Sequence, residues 1–325
     1  MTGRGFDQQM ESLDALKGRV LDAAAIALVR KALAGKSNFL AAKAARLAED
    51  NRLTELVPDL LAAFDRFFVH PEKTDPQCWA KNALSRALSR LECRDKNVFL
   101  RGLHFRQLEP TWGGRSDTAA TVRANCAHAL VGCDGLAAPG LLLLLIDLLV
   151  DEDKSVRVEA VRAIAQLSDL AVPVLRLRAL LPGEDPEVLA TCFHALLGID
   201  LESAIPFVAR FLAAGDDAAA EAAFALAETH AIAALHALLA ERNRPPADPW
   251  FTGVLLSAIA LTRQTEAVDY LIGLVEREDR DAPIAIEALA KSLPGTELRA
   301  RIEKAVADSG SPRLQKTLEE HLPPQ

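Results

Sequence analysis

The chain has 325 residues and a formal net charge of −8, with half of its residues hydrophobic, 5% aromatic and a single tyrosine. Little of it alternates at period two, which argues against a substantial sheet, and its acidic balance argues against a dedicated nucleic-acid domain. Met1 to Asp14 lacks the apolar core of a secretory signal, and the longest apolar run, Leu141 to Ile146, is about half the length of a membrane span. The five cysteines, with no Cys-x-x-Cys pair among them, fit reduced thiols in a cytoplasmic protein.

Residues 1–21 read as a polar lead-in or partial capping helix. Helical patterns then come in pairs. The first pair runs Asp22–Ala34 and Asn38–Asp50, with Gly35 ending one helix and Ser37 or Asn38 starting the next. The second is predicted at Glu55–Val69 and Pro76–Leu91, introduced by Asp75-Pro76, and the third at Lys96–Leu108 and Thr118–Gly132. Between the helices of the third pair lies a long loop, 109–116, in which Gly113-Gly114 is a turn signal. From Pro139 the pattern is regular, with first helices at about 139–150, 171–181, 202–214, 231–242, 266–278 and 296–307. A second long loop spans 243–248. The final helix, with Arg313, Lys316, Glu319 and Glu320, is polar enough to cap an array.

Six aspartates punctuate the regular part: Asp153, Asp185, Asp216, Asp248, Asp279 and Asp308, at spacings of 32, 31, 32, 31 and 29. Aspartate accepts hydrogen bonds from the free N–H groups of a helix's first turn and suits its positive end, so each is expected to start a second helix. Seven residues on stand Ala160, Cys192, Ala223, Leu255 and Ile286, and ten on stand Ala163, Ala195, Leu226, Ala258 and Leu289. Both offsets lie on one helix face, where small residues permit close helix approach. A period of this size in a helical pattern signals a solenoid of stacked helix pairs.

The run Ser155-Val156-Arg157-Val158-Glu159-Ala160-Val161-Arg162-Ala163-Ile164 resembles the HEAT-like repeat also found in phycobilisome lyases. Thr121-Val122-Arg123-Ala124-Asn125-Cys126-Ala127-His128-Ala129-Leu130 is similar, with Cys126 at the first alanine position. The resemblance implies an all-α fold, a right-handed α-α superhelix of about eight to nine HEAT-like helix pairs, armadillo-like in type, whose commonest use is protein binding. A single solenoid is accordingly expected over 22–322, divided into an irregular basic half (22–133) and a regular acidic half (134–322).

Charge supplies the functional clue. Residues 1–133 hold 20 Lys and Arg against 15 Asp and Glu, a balance of +5, and residues 134–325 hold 17 against 30, a balance of −13. Arg86, Arg90 and Arg94 fall four apart, which aligns the first two on one helix face. His128, Arg162 and His194 share an offset in successive repeats and would form a polar stripe suited to an acidic peptide. His128 and His194 stand two repeats apart, too far to share a zinc ion, and the same separation forbids a disulfide between Cys126 and Cys192. Cys126 and Cys133 are about 10 Å apart by helical rise. There is no phosphate-cradling Gly-x-x-x-x-Gly-Lys-Ser/Thr loop, and no residue pair is placed as general acid and base.

These features predict a non-catalytic protein-binding scaffold or adaptor with no cofactor and no bound metal, recognising an acidic surface or peptide along its concave face. The contact set is Arg86, Arg90, Trp112, Arg123, His128, Arg162 and His194, supplemented by the 109–116 and 243–248 loops. Two alternatives stay open. One is a nucleic-acid binder similar to the HEAT-fold alkylpurine DNA glycosylases, which predicts a continuous positive groove over 81–123. The other is a bilin-lyase-like chaperone, supported by the shared repeat type alone.

Overall fold

The computed structural model describes residues 3–244, 248–292 and 295–322. It falls into two compact units, up to Val174 and from Leu175 on. In the first, helix α1 (Gly3–Asp14) precedes the pair α2 (Ala23–Ala34) and α3 (Asn38–Asp50). The next pair is α4 (Val57–Arg66) and α6 (Trp79–Arg90), with the single turn α5 (Pro71–Thr74) between them. Then come α7 (Lys96–Leu103) with α8 (Ala120–Leu130), and α9 (Ala138–Ile146) with α10 (Lys154–Ala165). Helix α11 (Val172–Leu180) runs across the division. The second unit holds α12 (Pro186–Ile199), α13 (Leu201–Ala209) with α14 (Asp217–Glu228), and α15 (Ile232–Arg242) with α16 (Pro249–Leu261). It ends in α17 (Thr265–Glu276) with α18 (Ala282–Ser292) and α19 (Thr296–Ser309) with α20 (Pro312–His321). This is an all-α solenoid of paired helices.

The second helices stack on one another within each unit, α3 on α6, α6 on α8 and α8 on α10 in the first, and α12, α14, α16, α18 and α20 in turn in the second. Their buried faces are built as the repeat offsets require. Ala160, Cys192, Ala223, Leu255 and Ile286 are fully buried, and so are Ala163, Leu226, Ala258 and Leu289. Alanine at Ala160, Ala163, Ala223 and Ala258 lets helix backbones approach, while Leu226, Leu255, Ile286 and Leu289 fill the wider crossings of the same close-packed core. Gly102 on α7 is the tightest instance: a methyl group there would collide with the Cys126 sulfur and crowd Val122 on α8.

Four of the six aspartates do what the sequence asks. Asp153, Asp185, Asp216 and Asp248 each accept a first-turn N–H, at 2.8, 3.0, 3.0 and 2.9 Å. Two do not. Asp308 lies inside α19, and the last helix starts at Ser311 followed by Pro312. Asp279 sits in the turn before α18 and accepts from the N–H of Asp281 at 2.9 Å, while the Asp281 carbonyl accepts the first helical bond, from Ala285. The helix starts therefore fall at 153, 185, 216, 248, 281 and 311. The physical period is kept while the letter that marks it changes.

A different aspartate ladder ties the first unit together. Asp75, Asp117 and Asp151 each precede a basic residue by six: Lys81, Arg123 and Arg157. Asp75 and Lys81 are a fully buried ion pair at 2.9 Å, with the Asp75 carboxylate also accepting the N–H groups of Ala80 and Lys81 and the amide of Asn38 on α3. Arg123 donates from Nε and Nη2 to the two carboxylate oxygens of Asp151 at 2.9 and 3.0 Å, and from Nη1 to Asp117 at 2.6 Å and to the Phe105 carbonyl at 3.0 Å. Arg157 donates to the Asp151 carbonyl at 2.7 Å. Arg123 thus ties its own repeat to the next, and Asp75 reaches the preceding one through Asn38, whereas Arg157 closes on the turn of its own repeat. The buried charges of Lys81 and Arg123 are tolerable because their partners are present.

The stretch 109–116, expected as a loop, is a two-stranded antiparallel hairpin of β1 (Leu108–Thr111) and β2 (Gly114–Asp117). Trp112 and Gly113 form its turn, with Gly113 at φ 93°, a value that excludes most side chains. The predicted helix 96–108 ends at Leu103 because the chain must turn into this hairpin. Its base is anchored by Glu109, whose Oε1 accepts from the Gln77 N–H at 2.7 Å and from Thr118 at 3.1 Å. That contact helps to hold Gln77 and Cys78 at φ 57° and 54°, strained for non-glycine residues. Burial works to raise the Glu109 carboxyl, but hydrogen bonds from Gln107, Gln77 and Thr118 outweigh it and keep the group below the ordinary glutamate range.

Candidate functional site

The exposed side of α3, α6, α8 and α10 assembles a groove in the first unit. Positions nine residues after the start of these helices coincide: Arg46 follows Ser37, His128 follows Ala119 and Arg162 follows Asp153. Arg86 stands five beyond Lys81, as His128 stands five beyond Arg123 and Arg162 five beyond Arg157. The result is a row of exposed basic groups, Arg46, Arg86, His128 and Arg162, one from each successive second helix.

A depression of about 460 Å³ opens along this row, with Arg86, Arg90, Asn125, His128 and Glu159 on its walls. A second of about 420 Å³ adjoins it, sharing Ser89, Glu92 and His128 and reaching Cys93, Arg94 and Gln166. Asn125 ties its floor across helices, donating to Ser85 Oγ at 3.0 Å and to the Asn82 carbonyl at 3.2 Å.

Carboxylates are interleaved with the bases. Arg86 Nε donates to Glu49 at 2.9 Å. Glu159 takes an ion pair from Arg162 and lies 4.0 Å from His128. Neither Arg46 nor Arg90 has an ion pair or side-chain hydrogen bond among the described residues, and both are exposed. The face therefore offers two uncommitted guanidiniums flanked by partly neutralised ones.

The other predicted contact residues lie elsewhere. Arg123 is 1% exposed and locked between Asp117 and Asp151, so it is a structural cation and not a surface contact. The Arg of the Val122-Arg123 pair that carried the repeat resemblance ties α8 to the following repeat at Asp151. Trp112 is fully exposed at the hairpin tip and off the row. His194 belongs to the second unit, where its Nε2 lies 3.0 Å from Glu228 and its Nδ1 lies 2.7 Å from the Ala190 carbonyl. The 243–248 loop falls partly on 245–247, outside the described residues.

Sequence reasoning missed Arg46 and its neighbours Phe39 and Trp79. Their rings pair at 5.8 Å between centroids, and each is nearly half exposed. They border a cavity of about 260 Å³ between α1, α3 and α6 that also meets Lys43 and Arg46. The signal was present at the same offset, but α3 starts at Ser37 rather than at an aspartate, so the repeat rule did not reach it.

Four of the five thiols are poor nucleophiles. Burial pushes Cys78 and Cys133 up to about 11 and Cys192 to about 12, and raises Cys126 further still. Among the described residues no group of three His, Cys, Asp or Glu is placed to hold a metal ion, and no helix is long and apolar enough to cross a membrane.

Fold and groove together define a class: a helical-repeat protein whose successive second helices present equivalent positions side by side. Residues 142–227 match the family described as HEAT repeats, so this stretch of the solenoid is built of HEAT-like repeats. No curated protein sequence matches the chain. Among solved structures it is similar to human deoxyhypusine hydroxylase in complex with glycerol, 18% identical over 79% of this chain and 89% of that one, with a TM-score of 0.30. It is also similar to an engineered protein, 18% identical over 98% of this chain and 92% of that one, with a TM-score of 0.37.

Proposed function

We propose that this protein is a non-catalytic scaffold that holds an acidic segment of a partner protein along the exposed second-helix face of its first unit. The observation that carries the reading is the row Arg46, Arg86, His128 and Arg162, repeated at one offset over four stacked helices and opening onto a groove. A binding surface made of equivalent positions in successive repeats is how a solenoid reads an extended ligand. Residues 175–325 hold 14 Lys and Arg against 23 Asp and Glu, a balance of −9, and would repel competing acidic partners from that half.

Affinity capture of the intact protein from cytoplasmic extract, with and without nuclease, beside an Arg86→Glu/Arg90→Glu variant, tests the reading. A nuclease-resistant protein partner lost in the variant is the expected result. Recovery that is unaffected by the charge reversal overturns it. Recovery of nucleic acid in place of protein, abolished by nuclease, favours the glycosylase-like alternative instead.

A further inference from the structure

At its α3 end the basic row meets another cavity, because Arg46 also lines the space between α1, α3 and α6, whose apolar wall is made by Met10, Leu13, Phe39, Ala42, Leu47 and Trp79. At about 260 Å³ this space is too small for a drug-sized ligand, which needs roughly 300–1,000 Å³, and suits one large side chain. Phe39 and Trp79 are 46% and 42% exposed and face each other at 5.8 Å, leaving aromatic surface unused at its rim. Such a shelf beside uncommitted guanidiniums combines an apolar anchor point with anion contacts.

We infer that the occupant of the groove is an extended acidic peptide segment carrying one bulky aromatic anchor, seated against Phe39 and Trp79, with carboxylates spaced to meet Arg90 and the row beyond. This rests on the scaffold reading above and specifies its ligand. The spacing follows from the fold. Neighbouring packed helices are about 8–10 Å apart and an extended chain advances about 3.3 Å per residue, so successive helices are reached every three residues or so. The anchor at α3 and α6 is thus followed by one carboxylate about three residues away, over α6 and α8, and another about six away, over α10. The interleaved Glu49, Glu92 and Glu159 disfavour a nucleic-acid backbone, whose unbroken run of phosphates would meet them, whereas isolated carboxylates pass between them.

The test uses the full chain and fluorescein-labelled 12-residue synthetic peptides, in both sequence directions, read by fluorescence anisotropy at 50 mM NaCl. One peptide has a Trp with Glu three and six residues away in a Gly/Ser background; a second has Ala for the Trp; a third has Gln for both Glu. The Trp/Glu peptide is expected to bind in one direction, with the Ala and Gln versions each weaker by about tenfold. Trp79→Ala and Phe39→Ser, with helicity checked by circular dichroism, should weaken the Trp/Glu peptide to the level of the Ala version and leave the Ala version unchanged. Arg86→Glu/Arg90→Glu should weaken both. If the shelf variants bind the Trp/Glu peptide as the parent does while the charge reversal abolishes binding, the anchor is wrong and the acidic-segment reading stands. Binding that ignores both the Gln substitution and the charge reversal sinks the two together. A 12-nucleotide single strand that displaces the Trp/Glu peptide and binds more tightly assigns the groove to nucleic acid.

Discussion

Arg123 shows how a single residue changes meaning once its neighbours are known. In sequence it is a cation beside His128; in the fold it is buried, with all three of its nitrogens engaged by Asp117, Asp151 and Phe105. Burial alone would depress its charge, but hydrogen bonds from the guanidinium to Asp151 and Asp117 more than offset that and raise it. Arg123→Ala leaves the buried Asp151 carboxylate and the part-buried Asp117 carboxylate with only the half-exposed Arg106, at 3.3 and 3.4 Å, as counter-ion, so a loss of about 3 kcal/mol, the low end for a broken buried pair, is expected in urea unfolding. Asp117 gives the matching pH dependence. Burial works to raise its carboxyl, but the N–H groups of Ala119 and Gln107 and the Arg123 guanidinium outweigh this and hold it low. A carboxyl whose folded pKa lies below its unfolded value of about 3.9 stabilises the fold above that pH and ceases to do so as pH falls through the folded value. Stability of the native chain should therefore begin to fall below about pH 4, and Asp117→Asn should flatten that acid limb.

Among elements, the helix starts carry the clearest test. Asp216 caps α14 through the N–H of Ala219 at 3.0 Å, whereas Asp308 lies within α19 and caps nothing. Asp216→Ala should cost about 1 kcal/mol and Asp308→Ala less than about 0.5, although both belong to the same spacing in the sequence. The contact of α7 with α8 is sharper still. Gly102→Ala places a methyl group against the Cys126 sulfur, deep in the stack, and is expected to cost about 1–3 kcal/mol. Repeat proteins add such local terms nearly independently, so distant changes of this kind should sum.

On the scale of the whole molecule, charge division governs what approaches where. The first unit, residues 1–174, holds 23 Lys and Arg against 22 Asp and Glu, so its balance is +1 against −9 for the rest. An acidic ligand is drawn to one part of the chain by the difference, and the attraction is screened beyond about 10 Å at 0.1 M salt. Raising NaCl from 50 to 300 mM should weaken binding of the Trp/Glu peptide several-fold while leaving the smaller contribution of the aromatic anchor.

Much of the architecture was legible in the letters. Helix pairing, the buried faces at seven and ten residues after the aspartates, and the basic positions Arg86, Arg90, His128 and Arg162 all follow from periodicity, because a helix face is a property of spacing alone. The cap letters at Asp279 and Asp308 misled because capping depends on which residue ends the turn, and Asp281 and Ser311 do so. Only tertiary structure decided that Arg123 is enclosed, that 108–117 pairs as a hairpin, and that Phe39, Arg46 and Trp79 line one cavity. Those outcomes rest on contacts between residues well separated in the chain, such as Arg123 with Asp151 and Phe39 with Trp79, or on a turn set by its surroundings, and local sequence holds no record of which partner a side chain will meet.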